Sequence, residues 1–209
     1  MRTTSKLIGR AFIVAGLACL LATVTTAQEI RSEISVQGTG FFTKNSNGRG
    51  IRQTSTDSGG ILGGYRYRIN HRVSAEASYG WNRNSQVYSS ALGLARVQAD
   101  VHQATGGFVI NLPVHYRRMS PYILAEGGAL VFRPTHNSFG ATPGAQQQTV
   151  GAFVYGGGFD YPIPNMKHVS MRFEYRGFVY NAPDFGLRVL NTNTITHTAQ
   201  PSAGIVYRF

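Results

Sequence analysis

The chain of 209 residues has a formal net charge of +11, a mean hydropathy of −0.14 and a single cysteine, Cys19. Past residue 27 there is no thiol and no long apolar run, which excludes disulfides, thiolate chemistry and a helical membrane protein.

The first stretch sets Arg2, Lys6 and Arg10 before an apolar run from Ala11 to Val24, broken only by Gly16 and Thr23. This is the pattern of a secretory signal, too short for a spanning helix, with Thr25 and Ala27 as the small residues at the recognition positions. Residues 1–27 are expected to be a cleaved signal peptide, and residues 28–209 one domain carrying +8. Cleavage before Cys19 as a lipoprotein is the alternative, but Gly16 stands where such sites take Leu. Export argues against nucleic acid as the partner of this cationic chain.

The rest reads as eight strands of period two, and nothing reads as a long amphipathic helix. From Ser32 to Thr43, Ile34, Val36 and Phe42 oppose Glu33, Ser35, Gln37 and Thr39; from Gly59 to Ile69, Ile61, Tyr65, Tyr67 and Ile69 oppose Arg66 and Arg68. The third strand is the clearest, with Val73, Ala75, Ala77, Tyr79 and Trp81 against Ser74, Glu76, Ser78, Gly80 and Asn82. The fourth, Val97 to Ile110, sets Val97, Ala99 and Val101 against Gln98, Asp100 and His102, then blurs over Gln103 to Gly107, where a bulge or a register change is expected. The remaining strands run over Tyr122 to Phe132, Val150 to Tyr161, Val169 to Tyr180 and Ile195 to Phe209.

Connections alternate between short turns at 70–72, 111–120 and 161–168 and longer polar loops at 44–58, 83–96, 133–149 and 181–194. An even strand count returns both ends to one side, so the short turns are expected in the periplasm and the four loops outside the cell. Alternation cannot by itself say which face points inward, because a soluble lipocalin shows the same period with apolar residues inside. Three features favour an apolar exterior. The last strand ends on Phe209; Tyr67, Tyr161 and Tyr207 fall at one set of strand ends, with Phe42, Trp81 and Phe153 toward the other; and Gly38-Thr39-Gly40-Phe41 lacks the Trp of a lipocalin entry strand.

With Tyr155-Gly156-Gly157-Gly158-Phe159-Asp160-Tyr161, Met171-Arg172-Phe173-Glu174-Tyr175-Arg176 and the closing Tyr207-Arg208-Phe209, the chain resembles the eight-stranded OmpA-type and opacity-type outer-membrane barrels. The resemblance implies an all-β, closed, antiparallel transmembrane barrel in the bacterial outer membrane, with a structural or surface-interaction role and no catalysis. It implies insertion by the barrel-assembly machinery after periplasmic chaperones, with Ile205, Tyr207 and Phe209 as the recognised strand. OmpA proteins often add a peptidoglycan-binding domain, and no such domain is expected here.

An eight-stranded barrel holds side chains and no water column, so inward charges must pair across it, and arginine suits the task because its fork binds a carboxylate twice. The expected network is Arg66, Arg68, Glu76, Asp100, Glu126, Arg172, Glu174 and Arg176, centred on Glu174, with His102, Asp160 and Arg208 also facing in. A structural plug is the plain reading of that network, and a gated ion path the sharper one.

Catalysis, cofactors and metals are not expected. A lipid hydrolase or acyltransferase would need His, Ser and a carboxylate at one membrane edge. His71, His115 and His168 fall by turns, His136 lies in a loop beside Ser138, and His197 points outward among Thr196, Thr198 and Ser202 without a positioned carboxylate. Asp100 with His102 is the only pair on a shared strand face that resembles metal-ligand spacing, and the glycines form no phosphate loop. The loops set Lys44, Arg49, Arg52, Arg83, Arg133 and Arg188 against Asp57 and Asp184, an anion-binding rim suited to lipopolysaccharide phosphates or simply a solvated surface. A lipid-modifying enzyme and a secreted lipocalin-like carrier are the alternative functions.

Overall fold

The computed structural model describes residues 31–48, 51–90, 93–114, 119–135, 145–187, 190 and 192–209. The expected signal peptide lies outside them, as do Arg49, His115, His136, Ser138 and Arg188. The described residues form one antiparallel sheet of ten strands: β1 (Ser32–Thr43), β2 (Ser46–Gly48), β3 (Ile51–Ser55), β4 (Ser58–Arg68), β5 (Val73–Ser90), β6 (Gly93–Asn111), β7 (Ser120–Pro134), β8 (Gln148–Pro162), β9 (Val169–Asn181) and β10 (Ile195–Arg208).

Eight of these close a barrel in the order β1, β4, β5, β6, β7, β8, β9, β10, with β1 against β10 as the seam. Reciprocal backbone bonds between Ser32 and Phe209, of 3.1 and 2.9 Å, finish that seam. A path perpendicular to the strands runs from Phe42 through Ala199, Gly177, Tyr155, Ala125, Phe108, Ala75 and Tyr67 to Ser32, ten residues from its start on the same strand. That stagger tilts the strands by about 40° to the barrel axis, the angle at which eight strands leave room only for side chains.

Every residue on this path belongs to the outward set. Ile34, Val36, Ile61, Tyr65, Phe108, Ile123, Phe173, Tyr175 and Ile205 are exposed, whereas Arg172, Glu174 and Arg176 are buried. Apolar residues therefore face hydrocarbon over the spanning half of the wall, the reverse of a lipocalin. Tyr67, Tyr161 and Tyr207 ring its periplasmic end, and Phe42, Trp81 and Phe153 its outer end, all on the outer face.

Two of the four expected loops are sheet. Residues 83–90 and 93–96 continue β5 and β6 beyond the barrel wall, registered from Val73↔Ile110 to Ser90↔Gly93. Within 44–58, β2 and β3 form a smaller hairpin, and β3 pairs with the outer half of β5. Between β4 and β3 the register on β5 slips by one residue, from Gly60↔Asn82 to Ser55↔Gln86. The slip at Thr56 and Asp57 turns Gln53 inward, where its amide donates to Gln86 Oε1 at 2.8 Å.

Neither the bulge nor the register change expected in the fourth strand is found. Pairing runs unbroken across Gln103 to Gly107 on both sides, from Trp81↔His102 to Glu76↔Gly107 and from His102↔Val131 to Gly107↔Glu126. The pattern changes there for another reason. Phe108 and Ile110 face outward near the periplasmic end, whereas Val97, Ala99 and Val101 are fully buried inside while Asp100 and His102 face out. The same wall meets lipid below and water above, so its alternation reverses sign where the solvent changes.

Candidate functional site: a lumen closed in three layers

The lowest layer is ionic. Arg172 donates from Nε and Nη2 to the two oxygens of Asp160 at 2.8 and 2.9 Å, and its Nη2 also reaches Glu33 Oε1 at 2.5 Å. Arg208 shares both acids, donating to Asp160 Oδ2 at 2.5 Å and to Glu33 Oε2 at 3.1 Å. Arg66 pairs with Glu76 and, at 3.3 Å, with Glu33, while its guanidinium lies 4.3 Å from the ring centroid of Tyr122. Tyr122 in turn donates its hydroxyl to Glu174 Oε2 at 2.6 Å.

Arg176 is the hub of the upper part of this layer. It donates from Nε to Glu174 Oε1 at 2.6 Å, from Nη1 to Glu126 Oε2 at 3.1 Å and to Ser78 Oγ at 2.7 Å, and from Nη2 to Glu76. Thr105 donates to the same Glu126 oxygen at 2.6 Å. Side chains from β4, β5, β6, β7, β8, β9, β10 and β1 thus meet in one network, which cross-links the wall through its interior.

Six of the eight residues expected in this network are in it: Arg66, Glu76, Glu126, Arg172, Glu174 and Arg176. Arg68 is not; it lies exposed at the periplasmic end of β4, and no described residue forms an ion pair with it. Asp100 is not either. It faces outward above the membrane, paired with Arg83 at 2.6 Å across β5 and β6, and His102 beside it accepts or donates at Nδ1 to the Tyr79 hydroxyl at 2.6 Å, also on the outer wall. Both corrections have one cause: strand parity assigns a face, but height along the axis decides what that face meets. Glu33 holds three arginines and was not among the expected residues; its inward parity on β1 was the available signal.

Above the charges lies a neutral layer. Gln103 and Gln200 exchange amide hydrogen bonds across the lumen, each of 3.2 Å, and Ser202 donates to Gln37 Oε1 at 2.9 Å. Gly80 makes the crossing possible, because a Cβ there would overlap the Gln103 amide.

The outermost layer is apolar. Phe41, Val101, Leu130, Val154 and Phe178 are fully buried, with Phe41 and Phe178 at 6.2 Å between ring centroids. Phe132 and Tyr180 continue the layer upward. Phe185, from the connection between β9 and β10, seals it, edge-on to Phe132 at 6.2 Å and itself fully buried. Its backbone has φ +54, a left-handed conformation that a bulky residue adopts only when its surroundings hold it. Gln148 Oε1 accepts from the backbone N–H groups of Asp184 and Phe185 at 2.9 and 2.7 Å, and the Tyr88 hydroxyl donates to the Pro183 carbonyl at 2.8 Å.

Among the described residues no group of three or more His, Cys, Asp or Glu could hold a metal ion. His197 on the outer wall meets the Tyr155 hydroxyl at 2.8 Å, and among the described residues no carboxylate bonds to it.

The outer membrane protein beta-barrel domain family matches residues 12–209. No curated protein sequence matches the chain. Among solved structures, the outer membrane protein OprG of Pseudomonas aeruginosa superposes with a TM-score of 0.56 at 13% identity, covering 87% of this chain and 97% of its own. Neisserial surface protein A gives 0.56 at 13% identity over 85% and 97% of the two chains. AlkL, solved in lipid bilayers, gives 0.57 at 13% identity over 90% and 94%. At these identities the likeness is one of fold. A lipid-facing apolar wall, a paired ionic interior and a family match across nearly the whole length lead to one conclusion: this chain belongs to the outer membrane protein β-barrel domain family and resides in the bacterial outer membrane.

Proposed function

We propose that the protein is a monomeric, non-conducting barrel whose role is structural and interactive at the cell surface, exercised by the sheet and loops above the bilayer. The observation that supports this reading is the threefold closure of the lumen: ion pairs below, crossed amides in the middle and a packed aromatic layer under Phe185. Each layer would have to be dismantled for an ion to pass, and the hydrogen-bonded charges are the most expensive to separate. In planar bilayers the purified protein is expected to give no stable open level. A reproducible open pore would end this reading and favour a gated ion path.

The outer surface proposed for these contacts includes the exposed cations Lys44, Arg52 and Arg133, and the partner proposed for them is lipopolysaccharide phosphate in the surrounding leaflet. Binding there should weaken with salt. During biogenesis, periplasmic chaperones and the barrel-assembly machinery are the proposed partners, with Ile205, Tyr207 and Phe209 on β10 as the recognised face. Tyr207 and Phe209 stack at 6.2 Å beside the seam, so Phe209→Ala is expected to slow the appearance of the heat-modifiable folded form. An Asp57→Ala change in the outer connection serves as the control, and equal folding rates for the two variants would count against that role.

A further inference from the structure

On the outer wall, where β1 leaves the hydrocarbon, a cleft of about 270 Å³ opens between the β2–β3 hairpin and the outer end of β10. Lys44, Asn45, Asn47 and Thr194 supply its donors, His197 closes one side, and Val179 and Ile195 form an apolar edge. Among the described residues no carboxylate lines it. Arg52 stands directly across the small hairpin from Asn47, on the same exposed face. Among the described residues neither Lys44 nor Arg52 has an acidic partner, in contrast to Arg83, which Asp100 neutralises.

The cleft is anchored to the barrel. The Lys44 N–H donates to the His197 carbonyl at 2.8 Å, and the Thr196 hydroxyl donates to the Lys44 carbonyl at 3.2 Å. His197 is held by Tyr155, and both sit in a recess above Gly177, where a Cβ would come within 2.7 Å of Tyr155 Cζ and 3.0 Å of His197 Nε2. Directly beside His197 in register stands Val179, then Phe153, so cations at headgroup height lead without interruption into apolar wall.

We propose that this cleft binds the phosphate monoester of an outer-leaflet lipid, with the lipid's chains lying down the wall over Val179 and Phe153. Phosphate is the chemistry that matches two uncompensated cations flanked by neutral amide and hydroxyl donors. An amphiphile is the form that matches an edge as apolar as Ile195, which is 71% exposed at the membrane boundary. The site deepens the surface-interaction reading above and rests on it.

The test uses the full-length protein in phosphatidylcholine nanodiscs doped with bisphosphorylated lipid A, with retained lipid counted by native mass spectrometry. Wild type should retain it, and the double variant Lys44→Gln/Arg52→Gln should retain about thirtyfold less, the loss expected for two interfacial cations. Arg83→Gln, which also removes one outer cation, should retain as much as wild type, and dephosphorylated lipid A should be retained about thirtyfold less by wild type. Millimolar inorganic phosphate should not displace the lipid; displacement would make this a free-phosphate site and overturn the lipid assignment. Equal retention by wild type and the double variant, both showing heat-modifiable migration, would overturn the site itself. Conductance reads the closed-barrel proposal separately, so failure of one is not mistaken for failure of the other.

Discussion

Arg176→Met should be the most damaging single change in the lumen, lowering stability by about 3–5 kcal/mol, the usual consequence of removing one member of a buried ionic cluster. The guanidinium is 1% exposed and is the shared partner of Glu76, Glu126 and Glu174, so its loss leaves the buried Glu126 without the cation it pairs with and Glu76 and Glu174 dependent on Arg66. Lysine in its place should recover only part of the loss, because one ammonium cannot reach three acids from β5, β7 and β9 at once. Urea midpoints of the refolded protein, followed by heat-modifiable migration, would decide. A midpoint unchanged in Arg176→Met would mean that the network does not hold the barrel together.

Two residues along the same strand, on the same inward face, the opposite rule applies. Phe178→Asp is expected to abolish folding or to lower stability by more than the roughly 3–5 kcal/mol expected of Phe178→Ala, because the new carboxylate would be desolvated in the apolar layer while Arg176, two positions away, is already committed to Glu76, Glu126 and Glu174. Phe178 is fully buried against Phe41 in the apolar layer. The comparison of Arg176→Met with Phe178→Asp thus measures where the interior changes from ionic to apolar. If Phe178→Asp folded with a wild-type midpoint, the outer lumen would have to be hydrated, and the proposed closure would fall with it.

Much of the barrel is legible in the order of residues. Strict alternation over Val73 to Trp81 and over Val169 to Arg176 marks strands and assigns their faces, and Glu174 flanked by Arg172 and Arg176 announces an internal ion network. Glu33 was less visible because its strand is thinned by Gly38 and Gly40, and nothing local shows that three arginines from β4, β9 and β10 converge on it. Asp100 and Arg68 misled because height was not legible: Asp100 lies on the outer face of β6 where that face meets water and a polar residue belongs outside, and Arg68 keeps the inward parity of Arg66 but lies exposed at the end of β4. The stretch 83–96 looked like a loop because Ser, Asn and Gln fill it, yet above the bilayer a strand needs no apolar outer face and can be polar along much of its length.

Period two and aromatic strand ends, together with the family resemblance of the strand motifs, pointed to a closed transmembrane barrel from the sequence, because the hydrocarbon forces every spanning strand into the same pattern. The level at which lipid gives way to water was settled only by tertiary structure. The stagger of ten residues sets each strand at a different height, so the same parity buries Arg172 among carboxylates and Val101 among aromatic rings. The neutral Gln103–Gln200 crossing, the seal made by Phe185 and the cleft beside His197 all depend on residues distant in the chain, and they exist only once the seam between β1 and β10 is closed.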